Sequence, residues 1–425
     1  MAMMGEWRNE RFGQMAELVQ DTVHPSDVIG IPYIGLEHIG EGTLQLLGAG
    51  LAEDATSIKS QFKAGDILFG KLRPYFRKVI RAPFDGICST DIWVVRPKAG
   101  VDSGFLFYLM ASDIFIEPLV RASEGTKMPR AKWDFAISLE FPLPPLPEQQ
   151  AIARILGTLD DKIELNRRMN ETLEAMARSI FKSWFVDFDP VQAKAEGREP
   201  AGMDAETAAL FPDSFEETDP GIVPMGWRTG IIDDLCLLIE NGGTPKRMEP
   251  KYWHGGTIPW FKTGELNDGP LIDSEEAITE HGLSNSSCKL WPKNTILIAL
   301  YASPTVGRLG ILEAPGTANQ ACSALLAKPE YGYLFLFYKL LFSREELQNV
   351  AVGAAQQNIS QQVVRHHEIL IPSQETAFAF QQIIEINYSM RVINEKQSRI
   401  LAAIRDELLP RLLSGEKRIE VRSCQ

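Results

Sequence analysis

A chain of 425 residues, 44% hydrophobic and 23% charged, has room for two or three globular units with substantial cores, and no apolar run in it reaches the length needed to cross a bilayer. The start, MAMMGEWRNERFG, lacks the basic start and apolar block of a signal peptide, so a cytoplasmic protein is expected. The net charge of −13 disfavours a nucleic-acid partner at first sight, but ten acidic and two basic residues fall within residues 187–220, so −8 of it is local.

The first informative stretch is AGDILFGKLRP, residues 64–74. Gly65, Gly70 and Lys71 nearly spell the phosphate-cradling pattern G-x-x-x-x-G-K-[ST], which raises the alternative of a nucleotide-binding enzyme. Leu72 stands where a hydroxyl should help hold magnesium, and the residues between the glycines form an apolar, strand-like run. A core strand with Lys71 and Arg73 at its exit is the better reading. Lys71, Arg73, Tyr75, Arg77, Lys78 and Arg81 then form a basic run with an aromatic, suited to phosphates and base edges, or else an ordinary solvated surface. Residues 91–95, DIWVV, read as a strand and residues 103–119 have helical spacing. Thr126, Lys127, Arg130 and Lys132 add a second basic loop.

After PLPPLPEQQ, Pro147 and Glu148 suit the first turn of a helix. Residues 148–183 contain no Pro, and 36 helical residues span about 54 Å. Seven-residue spacing links Ile152, Leu159, Asn166, Leu173 and Ile180, with Ile155, Met169 and Met176 expected as companions three residues after their partners, as in a coiled-coil seam. The acidic segment that follows, rich in Pro, Gly and Ala, reads as a linker. The expected division is residues 1–147, helix 148–186, linker 187–225, second module 226–374, and helix with tail 375–425.

The two halves repeat. Residues 31–44 align without gaps on 258–271 at an offset of 227, residues 125–144 on 353–372 at 228, and residues 65–71 on 294–300 at 229. The second module has its own candidate contacts, less basic and richer in amides: Lys262, Thr263, Tyr301, Arg308, Gln356, Gln357 and Asn358. At an offset of 228 the seam returns as Phe380, Asn387, Asn394, Leu401 and Leu408, with Ile383, Met390 and Ile404 as companions. Asn166 and Asn394 coincide, and a polar residue in a seam fixes register. The fold class is therefore α+β: two repeated mixed α/β domains and two long antiparallel coiled-coil helices with pseudo-two-fold symmetry. Two helices packed separately on their own modules are the alternative.

Catalytic signatures are missing: no G-x-S-x-G, H-E-x-x-H or G-x-G-x-x-G occurs. His366 and His367 are expected on a strand, facing opposite sides, which is poor ligand geometry. The five cysteines, odd in number and never in a C-x-x-C pair, read as reduced and mostly buried thiols.

Residues 142–191, PLPPLPEQQAIARILGTLDDKIELNRRMNETLEAMARSIFKSWFVDFDPV, closely resemble the central conserved region of specificity subunits of type I restriction-modification systems. ELLPRLLSGEKRI, residues 407–419, is similar to the end of their C-terminal helix, and GDILFGKLRPY and FDGICSTDIWVVRP to segments of their first target-recognition domain. The resemblance covers essentially the whole chain. It implies a non-catalytic DNA-reading subunit in which each module reads one half of a split double-stranded target. The long helices would dock two methyltransferase subunits and, through the complex, translocating restriction subunits. No cofactor would bind this chain; S-adenosylmethionine, ATP and magnesium would belong to the partners. A coiled-coil scaffold without DNA function remains the plainer alternative.

Overall fold

The computed structural model describes residues 6–123, 128–218, 221–301, 305–352 and 358–419. The chain divides into two compact units, Met1–Leu165 with Ser398–Gln425, and Asn166–Gln397. No single helix among the described residues is long and apolar enough to cross a membrane.

In the first unit the expected core strand is Ile67–Gly70, buried at every residue. It lies in a four-stranded antiparallel sheet ordered Ala16–Leu18, Ile92–Pro97, Ile67–Gly70, Val79–Arg81. Successive side chains on a strand point to opposite faces. Ile67 and Phe69 accordingly enter a core with Phe12, Trp93, Phe105 and Phe115, while Leu68 enters another with Ile34, Ile80 and Val94. Cover on both faces is why this strand reads as an unbroken apolar run. A five-stranded sheet beside it pairs Pro32–Ile34 parallel with Gly86–Cys88. The helical run at residues 103–119 proves to be two helices, Ser103–Ala111 and Asp113–Ser123, broken at Ser112, whose hydroxyl donates to the Leu109 carbonyl at 2.6 Å.

The second unit follows the same plan. Ile296–Ala299 pairs antiparallel with Cys322–Ala327 and Leu309–Leu312, as Ile67–Gly70 does with Ile92–Pro97 and Val79–Arg81. Ile258–Phe261 runs parallel to Thr317–Ala318, repeating the pairing of Pro32–Ile34 with Gly86–Cys88. Helices Tyr333–Phe342 and Arg344–Val352 repeat the broken pair. The fold class is α+β with a duplicated mixed domain.

The acidic segment corrects the expectation of a linker. Asp189–Ala195 and Ala205–Ala209 are helices, and Phe215–Thr218 pairs antiparallel with Gly221–Pro224. Val191 and Phe211 are buried with Trp184, Phe185 and Trp227. A few spaced apolar side chains anchor the segment by burial, which its acidic composition hid.

The long helices are Leu146–Phe185 and Gln374–Leu413, each of 40 residues. All ten expected seam residues are buried or half-buried. In the second unit Asn166 Nδ2 donates to the Asn394 carbonyl at 3.3 Å and to Gln397 Oε1 at 3.0 Å, and Asn394 Nδ2 donates to Asn170 Oδ1 at 2.9 Å. Further along, Asn170 meets the Arg391 carbonyl and Phe181 packs edge-on against Phe380, so the two segments run antiparallel. In the first unit Arg405 donates to Asp160 at 2.7 Å, and Ile152 and Leu156 share a core with Leu409 and Leu412.

The companion positions need correction. Ile155, Met169, Met176, Ile383, Met390 and Ile404 are exposed; the buried side chains stand one residue later, at Leu156, Ala177, Ile384 and Arg405. His366 and His367 also lie elsewhere than expected. They follow the short helix Gln361–Arg365 and precede Glu368–Ile371, rather than sitting on a strand.

Candidate nucleic-acid interface

Residues 65–71 make no phosphate loop. Gly65, at φ +90°, closes a turn in which Asp66 N–H donates to the Lys63 carbonyl. Gly70 fits closely: a Cβ there would stand 2.9 Å from Leu36 Cδ2 and 3.1 Å from Lys78 Cβ, so its neighbours would have to shift. The Gly70 amide donates to the Lys78 carbonyl at 2.8 Å and the Lys71 amide to that of Asp91 at 2.9 Å, so neither is left to face an anion.

The strand exit builds the first candidate surface. Arg73 N–H donates to the Pro129 carbonyl at 2.7 Å and Ala131 N–H to that of Lys71 at 2.9 Å, laying residues 128–132 beside residues 71–73. Two basic stretches far apart in sequence, Lys71 with Arg73 and Arg130 with Lys132, thereby share one patch. Pro74–Phe76 forms a 3-10 turn between Arg73 and Arg77, both in the left-handed region at φ +51° and +53°. Tyr75 is 47% exposed, and the Arg73 guanidinium lies 6.0 Å over the Phe76 ring. Among the described residues neither Lys71 nor Arg73 has an ion-pair partner.

Other cations here are tied down. Lys78 donates to the Leu36 carbonyl at 2.9 Å and lies 3.5 Å from Glu41. Arg130 Nε donates to Asp91 at 3.2 Å. Arg77 pairs with Asp113, both side chains about half exposed at 44% and 56%. A left-handed non-glycine residue costs roughly 1–2 kcal/mol, whereas an exposed ion pair returns about 0–1 kcal/mol. The pair with Asp113 therefore does not offset the conformation of Arg77. Thr126 and Lys127 lie outside the described residues.

The equivalent loop of the second unit follows Ile296–Ala299. The Ala299 amide donates to the Arg308 carbonyl at 2.9 Å, the counterpart of Gly70 to Lys78, so Gly307 corresponds to Arg77. Gly307 has φ +78°, the same left-handed region without a side-chain cost. Arg344 occupies this corner instead: its Nε donates to the Gly307 carbonyl at 2.8 Å and its Nη1 to Asp268 at 2.9 Å. Tyr301 is exposed and Arg308 half-buried, while Asn358 begins the described chain after Gln356 and Gln357, which lie outside it.

Lys262 is held by Glu275 at 2.6 Å and Glu276 at 3.2 Å, with Glu275 the larger cause of its raised pKa. Thr263 opens the neighbouring 3-10 turn Thr263–Glu265. Glu276 also takes Arg247, whose hydrogen bond is the main reason its carboxyl lies below the ordinary range. The Arg247 guanidinium sits 3.9 Å over Trp253 and 4.6 Å from Trp260. Sequence reasoning missed this Arg–Trp–Glu cluster; the basic pair Lys246–Arg247 after two glycines was its only visible signal.

A second kind of surface lies on the long helices. In the second unit Ile383, Ile386, Met390 and Ile393, spaced three and four residues apart, are all exposed on one helix, with Met169 and Met176 exposed on the other. The first unit exposes Ile155, Leu165, Ile400 and Ile404. Outward stripes of this kind on helices already packed inward suit further helices.

The duplication coincides with what the chain is similar to. Residues 4–175 and 224–387 both match the type I restriction modification DNA specificity domain, and the chain belongs to that family, which supplies specificity subunits rather than catalysts. It is 30% identical over 406 residues to the type I restriction enzyme HindI specificity subunit of Haemophilus influenzae, covering 84% of this chain and 88% of that one. It is 29% identical over 331 residues to the MjaIX specificity subunit of Methanocaldococcus jannaschii, covering 77% and 72%. In fold it is similar to the crystal structure of a type I restriction-modification S subunit from M. genitalium, with a TM-score of 0.60 at 16% identity over 96% of both chains.

Proposed function

We propose that each α/β domain reads one half of a split double-stranded DNA target. The observation that carries this reading is the strand exit, which keeps its main-chain bonds in both units (Gly70 to Lys78 and Ala299 to Arg308; Lys71 to Asp91 and Leu300 to Ala321) but carries different side chains: cations and Tyr75 in one, Tyr301, Gly307 and Arg308 in the other. A common frame with different side chains suits two halves of unlike sequence. The candidate base and phosphate contacts are Lys71, Arg73, Tyr75, Arg77, Arg130, Tyr301, Arg308 and Asn358; Lys78 and Lys262 anchor the loops. The outward apolar stripes of the long helices dock two methyltransferase subunits, through which restriction subunits join. Methyl transfer with S-adenosylmethionine and ATP-driven translocation with magnesium belong to those partners, in the cytoplasm, and this chain binds no cofactor.

The test is to map methylated bases in a genome exposed to the chain together with its methyltransferase partner. A motif of two short specific halves separated by a fixed non-specific spacer is expected. A continuous motif overturns the split reading, and partner assembly without sequence-dependent methylation favours a scaffold.

A further inference from the structure

We infer that residues 73–77 are the base-reading turn of the first half-site and that Arg77 is a specificity-determining residue that reads a guanine there. The inference rests on the reading that this domain contacts DNA, and it adds which residue discriminates and which base it selects.

The argument starts from the backbone. The position before Lys78 and Arg308 demands a positive φ in both copies of the fold, and the second copy meets that demand with glycine, Gly307. The first copy places an arginine there at φ +53°, and its half-exposed pair with Asp113 does not offset the conformation. Nothing in the fold therefore calls for that side chain. Residues kept in sparsely populated backbone regions cluster at active sites, ligand clamps and switch regions.

The turn is built to fix that direction. Gly42 N–H donates to the Arg77 carbonyl at 3.3 Å, Arg73 N–H to that of Pro129 at 2.7 Å, and Phe76 N–H to that of Arg73 at 2.9 Å. A phosphate contact needs only a nearby positive charge, which a lysine on relaxed backbone supplies. A guanidinium that bonds both O6 and N7 of guanine must reach the base edge from a defined origin, and a locked turn fixes that origin and the direction in which the side chain leaves it. Asp113 holds the guanidinium until the base edge replaces it. In the second copy the cation at this corner, Arg344, is bonded to Asp268 and to the Gly307 carbonyl and is not presented in the same way. The two half-sites therefore differ at the base read from this corner.

The experiment uses the full chain assembled with its methyltransferase partner and compares methylation motifs of the parent, Arg77→Gly and Arg77→Lys. Arg77→Gly installs the residue the sister loop tolerates, so a thermal midpoint no lower than the parent's is expected. Its motif should relax at one guanine of one half-site, with discrimination there falling about tenfold to a hundredfold and the other half-site unchanged. Arg77→Lys should relax the same position although the charge is kept. An unchanged motif, or a loss of methylation spread evenly over all sequences with the lysine variant restoring it, overturns the inference and makes Arg77 a phosphate contact. A parent without a split motif overturns the underlying reading instead.

Discussion

Arg418 forks onto Glu148, with Nε 2.8 Å from Oε1 and Nη2 2.9 Å from Oε2. The Trp7 indole N–H donates to the same carboxylate at 2.9 Å and the Ile419 amide at 3.3 Å. Residues near both ends of the described chain thus converge on the first turn of a long helix. Removing the guanidinium leaves a buried carboxylate short of its charged partner. Arg418→Ala should lower stability by about 1–3 kcal/mol in urea denaturation; a decrease within error would mean that Trp7 and Ile419 suffice.

The same site gives a pH dependence. Burial pushes the Glu148 carboxyl up, but the hydrogen bonds from Arg418, Trp7 and Ile419 outweigh it and hold it below the ordinary carboxylate value. A carboxyl depressed in the folded state stabilises the fold above its unfolded value, about 4.3, and that contribution is lost as pH falls through the folded value. Between about pH 5 and pH 3 the thermal midpoint of the parent should fall more steeply than that of Glu148→Gln. Parallel profiles would assign the acid sensitivity to other groups.

Asn166 and Asn394 meet within the helix pair, and their amides are bonded across it. Replacing both by Leu keeps an apolar seam but removes the bonds that select one register. The double variant should change oligomeric state or partner uptake, read by light scattering. The parent's assembly in the variant would show that the seam is set elsewhere.

The outward stripe should behave differently from the buried one. Ile386 and Ile393 are 74% and 58% exposed, so a glutamate at either place is solvated in the free chain. Ile386→Glu with Ile393→Glu should leave the melting curve unchanged and weaken methyltransferase uptake by about tenfold or more, because a charge would then be buried unpaired. Full uptake by analytical size exclusion would move the docking surface off this face.

Lys71 and Lys132 stand in the patch formed beside residues 128–132. If they neutralise phosphates, Lys71→Ala with Lys132→Ala should weaken DNA binding evenly across sequences and flatten the salt dependence, by a slope of about 0.9 for each phosphate that is no longer neutralised. A change in the motif with the salt slope intact would instead give them a reading role.

Much of this was legible because it is periodic. Ile67–Gly70 and Ile296–Ala299 each show as an unbroken apolar run, and two 40-residue helices show as heptads. The companions of the seam were not legible, because apolar residues stand both three and four places after its members: Ile155 beside Leu156, Met176 beside Ala177, Ile383 beside Ile384. Each helix thus carries two stripes, and only packing decides which faces inward. The proximity of Arg130 to Lys71 was hidden for another reason, being a product of long-range strand pairing. The positive φ of Arg73 and Arg77 had no signal either, since Arg, unlike Gly or Asn, does not announce a left-handed turn.

The candidate contact loop owes its shape to amides and carbonyls: Gly70 to Lys78, Lys71 to Asp91, Arg73 to Pro129. None of these bonds depends on which side chain the residue carries, although a side chain at Gly70 would press on Leu36 and Lys78. Drift at the tip therefore meets little resistance from folding. If this loop reads DNA as proposed, single substitutions there would change the target while the scaffold stays as it was.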